Sequence, residues 1–218
     1  MLEEIKKEQS SEAEIEPKIL HTFEWVDREG VRGEKGLEYS GVIRYARPED
    51  MEGVQVVERD KHVHRMERGE RKYDLSKDPD MGEFENIFKE PDKFISLILT
   101  IDGEIVAHID FGIDRERPNT VEFGTIATIE KYQNNGFMTK LLYFAEQEAQ
   151  NVFGAETIRI STQEKNKDAV EYYSNPKRGY TDEGERIERD EEWMGERPYK
   201  SIIFVKHLKK IPDQDASV

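Results

Sequence analysis

The segment Thr125 to Leu142, TIATIEKYQNNGFMTKLL, joins the end of a predicted strand, a short polar turn and the start of a predicted helix. The first N–H groups of a helix have no intrahelical acceptor, and the helix dipole favours negative charge beside them. Gly136 lets the backbone approach an anion without a Cβ in the way. Although the chain has 48 acidic residues, none stands at 137–140. By itself, a turn with one glycine before a helix is more often plain structure, and the acid-free helix start is consistent with a phosphate-bearing ligand as the alternative.

Two polar side chains interrupt the apolar segment Ala107 to Ile113. Successive side chains of a strand point to opposite faces, so His108 and Asp110 share one face and the apolar residues between them share the other. A polar face on a central strand predicts a cleft, which makes both residues candidates for substrate binding. The alternative is that they hydrogen-bond to each other or to a neighbouring strand.

The sequence gives little support for metal or thiol chemistry. It contains no cysteine, which excludes disulfides, thiolate zinc sites and a cysteine nucleophile. His62 and His64 form a His-x-His pair, but no carboxylate or third histidine is placed convincingly beside them. We therefore predict no metal site.

The charge balance indicates which partners the chain could meet. Asp and Glu outnumber Lys and Arg by 48 to 33, so the net charge is −15. We expect no nucleic-acid binding, because such a charge repels phosphate backbones and attracts cationic small molecules or basic peptides. No stretch approaches the ~20 apolar residues that cross a bilayer, and the start, MLEEIKKEQS, lacks a signal-peptide core. The expectation is a cytoplasmic protein without membrane association.

Hydrophobic periodicity predicts the elements that position these residues. A helix begins at Pro48 and carries Met51, Val54 and Val57 on one face, whereas residues 60–82 are polar and are predicted to form a loop. The other predicted helices are 83–89, 137–153 and 168–173, and the strands are 18–26, 42–45, 94–101, 104–113, 121–129, 157–162 and 201–205. This order predicts an α/β or α+β fold with a mixed sheet.

Turn residues predict two hairpins. Asp102-Gly103 separates two strongly apolar strands and is the clearest hairpin signal in the chain. Asp27 to Gly30 offers similar turn chemistry after the first strand, which predicts a return strand from Val31.

The turn after the fifth strand resembles the pyrophosphate-binding pattern of the GCN5-related N-acetyltransferase (GNAT) family. That pattern is Gln or Arg, two residues, Gly, one residue, then Gly or Ala. The matching residues are Gln133, Asn134, Asn135, Gly136 and Phe137, and Met138 occupies the last small position.

A second set of residues resembles the family's Asn, Ala, Phe-Tyr and Gly-Phe pattern. These residues are Asn166, Ala169, Tyr172-Tyr173 and Gly179-Tyr180, with two extra residues near Asn175-Pro176. The resemblance extends over about residues 42–205, roughly three quarters of the chain. It implies a mixed, mostly antiparallel central sheet flanked by helices, with an extra N-terminal strand or hairpin.

The domain organisation expected from this resemblance has three parts. Residues 1–41 form a polar arm with a strand or hairpin, 42–210 the acetyltransferase-like domain and 211–218 a polar tail. An N-terminal hairpin could also pair across subunits in a homodimer.

The resemblance implies an N-acetyltransferase that moves the acetyl group of acetyl-CoA to a primary amine of a small molecule or peptide. The amine attacks directly in a ternary complex, since the chain has no cysteine and no serine nucleophile motif. The cofactor contacts that it implies are Ile126, Ala127, Thr128, Gln133, Asn134, Asn135, Gly136, Phe137, Met138, Thr139, Asn166 and Tyr173. Alternatively, Asn166 caps the helix that starts near Asp168.

Two residues receive catalytic roles from the resemblance. An alkyl amine with a pKa of about 10.4 must lose a proton before it attacks, and Glu122, eleven residues ahead of Gln133, is the implied base. A solvated glutamate is the alternative, with His108, Asp110 or water as the base. Tyr173 is the implied acid, because a phenol with a pKa of about 10 can protonate the leaving thiolate. Tyr173 could instead pack in the core, a role expected of Tyr172.

A second function stays open at this stage. A non-catalytic acyl-CoA-binding module would keep the fold and lose the reaction. Met138 in the pyrophosphate pattern and the two extra residues near Asn175-Pro176 are the departures that favour it.

Overall fold

The computed structural model describes residues 18–33, 35–67, 87–189 and 199–209. The predicted arm at 1–17 and tail at 211–218 lie outside these ranges, and of the predicted helix at 83–89 only 87–89, which are helical, are described. The strands are β1 (Ile19–Val26), β2 (Glu38–Tyr45), β3 (Phe94–Ile101), β4 (Glu104–Ile113), β5 (Thr120–Thr128), β6 (Thr157–Gln163), β7 (Thr181–Arg189) and β8 (Tyr199–His207).

Helices cover both faces of the sheet formed by these strands. They are α1 (Met51–Glu67), α2 (Phe137–Phe153) and α3 (Lys167–Ser174), with short 3-10 helices at Pro48–Asp50, Glu130–Tyr132 and Pro176–Arg178. In the described part of the chain, no helix is both long and apolar enough to cross a membrane.

The strands form one sheet in the order β1-β2-β3-β4-β5-β6-β8-β7. All neighbours are antiparallel except β5 and β6, which confirms the predicted mixed, mostly antiparallel sheet with an extra N-terminal strand. The parallel register runs only from Thr120–Thr157 to Phe123–Ile160. Beyond Phe123, no described strand pairs with that edge of β5, so the sheet parts between β5 and β6.

The two predicted hairpins have different outcomes. The β3–β4 hairpin is confirmed, and its turn residues Asp102 and Gly103 have positive φ angles of 47° and 82°, as a tight two-residue turn requires. The return strand predicted from Val31 is wrong, because β1 pairs with β2 from Glu38 onwards. The carboxylate of Asp27 instead binds the N–H groups of the residues after it, which makes the connection a compact loop.

Helix α2 has the predicted bounds because its sequence contains both a helical apolar stripe and a stop signal. Its buried apolar side chains, Phe137, Leu141, Leu142, Ala145 and Ala149, lie in the main core cluster. Burying each large apolar side chain stabilises the fold by about 1.5–3 kcal/mol. Gly154 ends the helix at φ 63°, and its N–H donates to the carbonyl of Gln150.

Helix α1 runs ten residues beyond its last predicted apolar contact, so the loop predicted from residue 60 is wrong as far as Glu67. Polar contacts hold this second half. Glu58 Oε1 lies 2.5 Å from His108 Nε2 on β4, and Asp60 accepts the Glu130 N–H at 2.7 Å. The Arg65 guanidinium donates to Gln163 on β6 at 3.0 Å. The helix therefore spans the parting between β5 and β6.

His108 is fully buried between two carboxylates, those of Glu58 and Asp110. Burial alone would lower the pKa of His108, but Asp110 and Glu58 outweigh it and raise that pKa to about 9. Burial would also raise the pKa of Glu58, but Lys61 and His108 hold it well below its usual range. The histidine and the glutamate are therefore a charged pair at neutral pH.

This pair predicts a pH dependence of stability. The pKa of His108 is higher in the folded chain than its ordinary 6.5, so its contribution is complete below pH 6.5 and is lost as the pH rises through about 9. Replacing Glu58 by Gln should lower the free energy of unfolding by about 3–5 kcal/mol at pH 6, because a buried charge loses its partner. The deficit should shrink by pH 10.

Urea unfolding at pH 6, 8 and 10 measures the free energy of unfolding of the wild type and of Glu58→Gln, and so the deficit at each pH. Glu24→Gln is the matched control, since Glu24 is an exposed glutamate on β1. A constant deficit for Glu58→Gln across this range would contradict the assigned charge of His108.

Candidate functional site

The polar turn after β5 leads directly into α2. It follows the 3-10 helix Glu130–Tyr132, and two of its residues have left-handed backbones, Asn134 with φ 62° and Gly136 with φ 75°. The N–H groups of Tyr132 and Gln133 donate to the carbonyls of Ile129 and Glu130. The next N–H with a protein acceptor is that of Lys140, which donates to the carbonyl of Gly136 at 3.0 Å.

Six N–H groups therefore have no acceptor among the described residues, those of residues 134–139. No side chain caps the start of α2, and its first turn contains no acid. A Cβ built on Gly136 would meet no atom within 4 Å, so the space in front of it is open. Unpaired donors, a helix dipole and open space together make an anion-binding site.

The side chains of this turn brace it and leave its N–H groups unpaired. Gln133 Nε2 donates to the carbonyl of Thr128 at 3.3 Å, and Asn135 Nδ2 donates to the carbonyls of Tyr132 and Gln133 at 3.3 and 3.0 Å. Met138 is half-buried and packs against the core. The larger side chain at the position where the family pattern has Gly or Ala thus turns inward.

The second half of β5 offers further backbone groups. Ile126, Ala127 and Thr128 pair with β4 on one edge, while their other edge has no strand partner in the described residues. The register also shifts between Ile109 and Phe111 of β4, so that β5 carries one extra residue there. Bulges of this kind re-aim a strand locally. The predicted contacts at 126–128 thus lie at the parting of the sheet.

Asn166 is the N-cap of α3, since its Oδ1 accepts the N–H of Ala169 at 3.3 Å. The capping alternative is therefore confirmed, and a cofactor contact by Asn166 stays a prediction. The same short helix positions the two tyrosines.

The two tyrosines differ from expectation in their packing. Tyr173 is only 5% exposed and packs against Tyr180 and Phe204, with ring centroids 5.3 and 5.6 Å apart. Tyr172, expected in the core, is half-buried, and its hydroxyl lies 3.2 Å from Thr139 Oγ1 at the start of α2. Burial, with a smaller effect of Tyr172, raises the pKa of Tyr173, so its phenol stays protonated. The Tyr173 hydroxyl has no protein partner in the described chain.

Glu122 is exposed and makes no hydrogen bond or ion pair with a described residue. Cross-strand partners project to the same face of a sheet. The register pairs Glu122 with Gly112, two residues along β4 from Asp110, so Glu122 shares the α1 face with Asp110 and His108. Its neighbour on β6, Arg159, is paired with Glu185 at 2.8 Å.

Tyr173 lies on the opposite face of the sheet. Its contact Phe204 is in register with Ile160, and Ile160 is in register with Phe123, whose ring packs with Phe111 on the α2 side. The implied base and acid therefore flank the parting between β5 and β6 from opposite faces.

The two polar residues of β4 have a partner that the sequence did not reveal. His108 binds Glu58 of α1 and faces Asp110, with Nδ1 and Oδ1 3.6 Å apart. Asp110 remains partly exposed, with 15% of its side chain accessible. Glu58 lies within the helix predicted from the sequence, but hydrophobic periodicity does not indicate which strand residue a polar helix side chain contacts. Substrate binding by His108 and Asp110 stays a prediction.

The two histidines of the His-x-His pair contact carboxylates rather than each other. His62 is buried with Nε2 3.7 Å from Glu58 Oε2, and His64 contacts Glu130 and lies 2.9 Å from Glu67. In the described ranges, no group of three or more His, Cys, Asp or Glu side chains could hold a metal ion.

Comparison with known proteins identifies the family and the fold. A model of the Acetyltransferase (GNAT) family matches residues 59–180, more than half of the chain. No curated protein is significantly similar in sequence.

Several solved structures share the fold. The ribosomal-protein-S18-alanine N-acetyltransferase of Escherichia coli superposes with a TM-score of 0.58 at 14% identity, over 80% of this chain and 97% of that one. The putative acetyltransferase yncA of Salmonella typhimurium, solved with acetyl-CoA, gives 0.60 at 17% identity over 81% and 98%. A spermidine N-acetyltransferase chimera from Vibrio cholerae SpeG and hSSAT gives 0.57 at 14% identity over 77% and 95%.

The matched region contains the turn with its unpaired N–H groups, the parting of β5 from β6, and the helix that carries Asn166 and Tyr173. This chain therefore belongs to the GNAT family of acetyltransferases.

Proposed function

We propose that this chain is an N-acetyltransferase that transfers the acetyl group of acetyl-CoA to a primary amine of a small molecule or peptide. One observation carries the proposal: the N–H groups of residues 134–139 have no acceptor among the described residues, at the start of α2 and beside the parting of β5 and β6. A diphosphate would supply those acceptors. Membership in the family supports acetyl-CoA as the donor, and the Salmonella neighbour was solved with it.

Residues on both sides of the parting would hold the rest of the donor. Backbone N–H groups alternate between the two edges of a strand, and that of Ile129 donates to Val106 of β4, so the N–H groups of Ile126 and Thr128 face the edge of β5 that has no described strand partner. There they can donate to the acetyl carbonyl. Asn166 and Tyr173 approach from α3. Donors fixed in a strand stabilise a developing oxyanion without moving, which is why backbone groups suit this role.

In this proposal, Glu122 accepts the proton of the incoming ammonium. Its carboxylate is exposed and has no partner among the described residues, so it can meet an acceptor without first breaking an ion pair. Asp110 lies on the same face and is partly exposed, and both carboxylates attract a cation. A cationic amine would therefore approach from the α1 face.

Tyr173 is the proposed acid, which protonates the leaving thiolate. When the amine nitrogen forms its bond to the acetyl carbon, the carbon–sulfur bond breaks and its electron pair stays on sulfur. The buried phenol, protonated at neutral pH, donates its proton to that sulfur. The acylated nitrogen loses its extra proton to solvent, and solvent reprotonates the phenolate, so that the products are the amide and the free thiol. The reaction is direct, because the chain has no cysteine to carry an acetyl group.

Two structural neighbours support an amine acceptor. The Escherichia coli protein is described as acting on an alanine of a ribosomal protein, and the Vibrio cholerae chimera as a spermidine acetyltransferase. Peptide and polyamine substrates both present a primary amine, and the net charge of −15 suits a cationic acceptor.

The proposal is tested by thiol release from acetyl-CoA with a panel of polyamines, amino acids, aminoglycosides and peptides. Turnover with at least one amine is the expected result. Donor binding without turnover on the whole panel would instead favour a non-catalytic acyl-CoA-binding module.

Asn134→Asp tests the anion site by placing one negative charge on the turn. Asp and Asn both tolerate the left-handed backbone, so stability should change little. Affinity for coenzyme A should fall about tenfold, because a unit charge near phosphate costs about 1 kcal/mol or more at a surface. Isothermal titration measures the Kd.

The matched control is Asn119→Asp, another exposed left-handed asparagine, with φ 54°. It precedes β5 whereas Asn134 follows it, a separation of about 30 Å along the strand. Equal affinity for coenzyme A in both variants would remove the turn from the binding site.

Glu122→Gln tests the base. We expect kcat/KM for the amine to fall about 10²- to 10⁴-fold, the usual contribution of a general base, while the Kd of acetyl-CoA stays within twofold. Steady-state kinetics over pH 6–10 should also show that the variant recovers activity at high pH, where the free amine is abundant. Unchanged kinetics would assign proton removal to another group or to water.

Tyr173→Phe tests the acid. Because its hydroxyl has no described protein partner, stability should hardly change, and kcat should fall about 10- to 100-fold if proton donation is lost. Tyr172→Phe is the control, since it removes a hydroxyl that contacts Thr139 instead. The assignment fails if kcat falls equally in both variants or in neither.

A further inference from the structure

The loop between β1 and β2 is organised by one buried carboxylate. Asp27 has no exposed surface, and its oxygens accept the N–H groups of Gly30, Val31 and Arg32 at 2.7–2.9 Å. Its own carbonyl accepts the N–H of Gly36 at 2.7 Å. These bonds fix the backbone of Arg32 relative to β1.

Arg32 extends from this loop to Tyr132, the residue just before the turn at 133–136. Its Nη1 lies 3.1 Å from the Tyr132 hydroxyl, 2.8 Å from Glu104 Oε2 and 3.1 Å from the carbonyl of Ile101. The Tyr132 hydroxyl also donates to Glu104 at 3.0 Å. Tyr132 has no exposed surface and is followed directly by Gln133.

Trp25 of β1 contacts both ends of the same turn. Its ring packs edge-on against Tyr132, with centroids 5.9 Å apart, and against Phe137, at 5.2 Å. Tyr132 and Phe137 are themselves 6.2 Å apart. Residues 133–136 are therefore a short bridge between two aromatic side chains that rest on Trp25.

We propose that Trp25 and Arg32 are positioning residues for acetyl-CoA. By fixing Tyr132 and Phe137, they hold the turn in the shape that leaves the N–H groups of residues 134–139 unpaired before the ligand arrives. A site that is already ordered loses less conformational entropy on binding, so its affinity is higher. This role presupposes the proposed function of the turn.

The contribution is additional to the family pattern. Trp25 and Arg32 both precede residues 59–180, which the family model matches, and β1 is the extra strand at the edge of the sheet. The aromatic and arginine contacts thus make the N-terminal strand and loop part of the cofactor site, although neither Trp25 nor Arg32 needs to touch the ligand.

The test compares Arg32→Met with Arg186→Met in the full chain. Arg186 is likewise paired with carboxylates, Asp182 and Glu164, but on β7 at the opposite edge of the sheet. For Arg32→Met we expect the Kd and KM of acetyl-CoA to rise about tenfold with kcat at saturation within twofold, since only the pre-ordering of the site is lost. Arg186→Met should match the wild type.

Two further variants separate positioning from general stability. Arg32→Lys keeps a cation beside Glu104 and should recover part of the affinity, whereas a purely volume-dependent role would make it no better than Met. Tyr132→Phe should raise the Kd of acetyl-CoA by itself. The double variant Arg32→Met/Tyr132→Phe should bind no more weakly than Arg32→Met, because both substitutions break the same contact between Arg32 and the Tyr132 hydroxyl. The thermal unfolding midpoint of each variant is measured to verify that the variant is folded at the temperature of the binding experiments.

The outcomes distinguish this inference from the proposed function. If the wild type does not bind acetyl-CoA, the proposed function fails and the positioning role fails with it. If the wild type binds and folded Arg32→Met and Tyr132→Phe bind equally well, only the positioning role is wrong. A fall in kcat at an unchanged Kd would also overturn it.

Discussion

An N–H group at the start of a helix must find its acceptor in a capping side chain, in water or in a ligand, because the helix itself provides none. At the turn before α2 and in its first three residues, the six N–H groups of residues 134–139 have no acceptor among the described residues, since the left-handed residues Asn134 and Gly136 shape the turn and no side chain caps the helix. The side-chain amides of Gln133 and Asn135 donate to backbone carbonyls and do not accept the N–H groups of the turn, so the turn stays open to a ligand. This row of donors is the feature on which the proposed site depends. The parting of the sheet, the candidate acid and base, and the contacts that hold the turn are interpreted relative to it.

The surrounding structure serves this turn from both faces of the sheet. The parallel register of β5 and β6 stops at Phe123, which exposes one edge of β5 next to the turn. On one face, α1 spans the parting through part-buried polar contacts, and Glu122 and Asp110 lie on that same face. On the other face, Tyr173 is held by aromatic neighbours that keep its phenol protonated.

Local signals in the sequence were sufficient for some elements and silent for others. The β3–β4 hairpin and α2 were predictable because turn residues and apolar periodicity coincide there. The second half of α1 was not, because Glu58 and Arg65 are buried against polar partners from distant strands, and hydrophobic periodicity carries no trace of such pairs. Which of Tyr172 and Tyr173 is buried likewise depends on the face that Phe204 occupies, because Tyr173 packs against Phe204. Arg32 gave no signal, since its partners lie 69 to 100 residues away.

The most direct measurement is amide NMR of residues 134–139 during titration with coenzyme A and, separately, with pantetheine, which lacks the diphosphate. If these N–H groups bind the diphosphate, their NMR signals should shift, and the groups should become protected from hydrogen exchange, when coenzyme A is added. Pantetheine should change them little. Binding of coenzyme A that leaves these six N–H signals unchanged would contradict the account, as would identical responses to the two ligands.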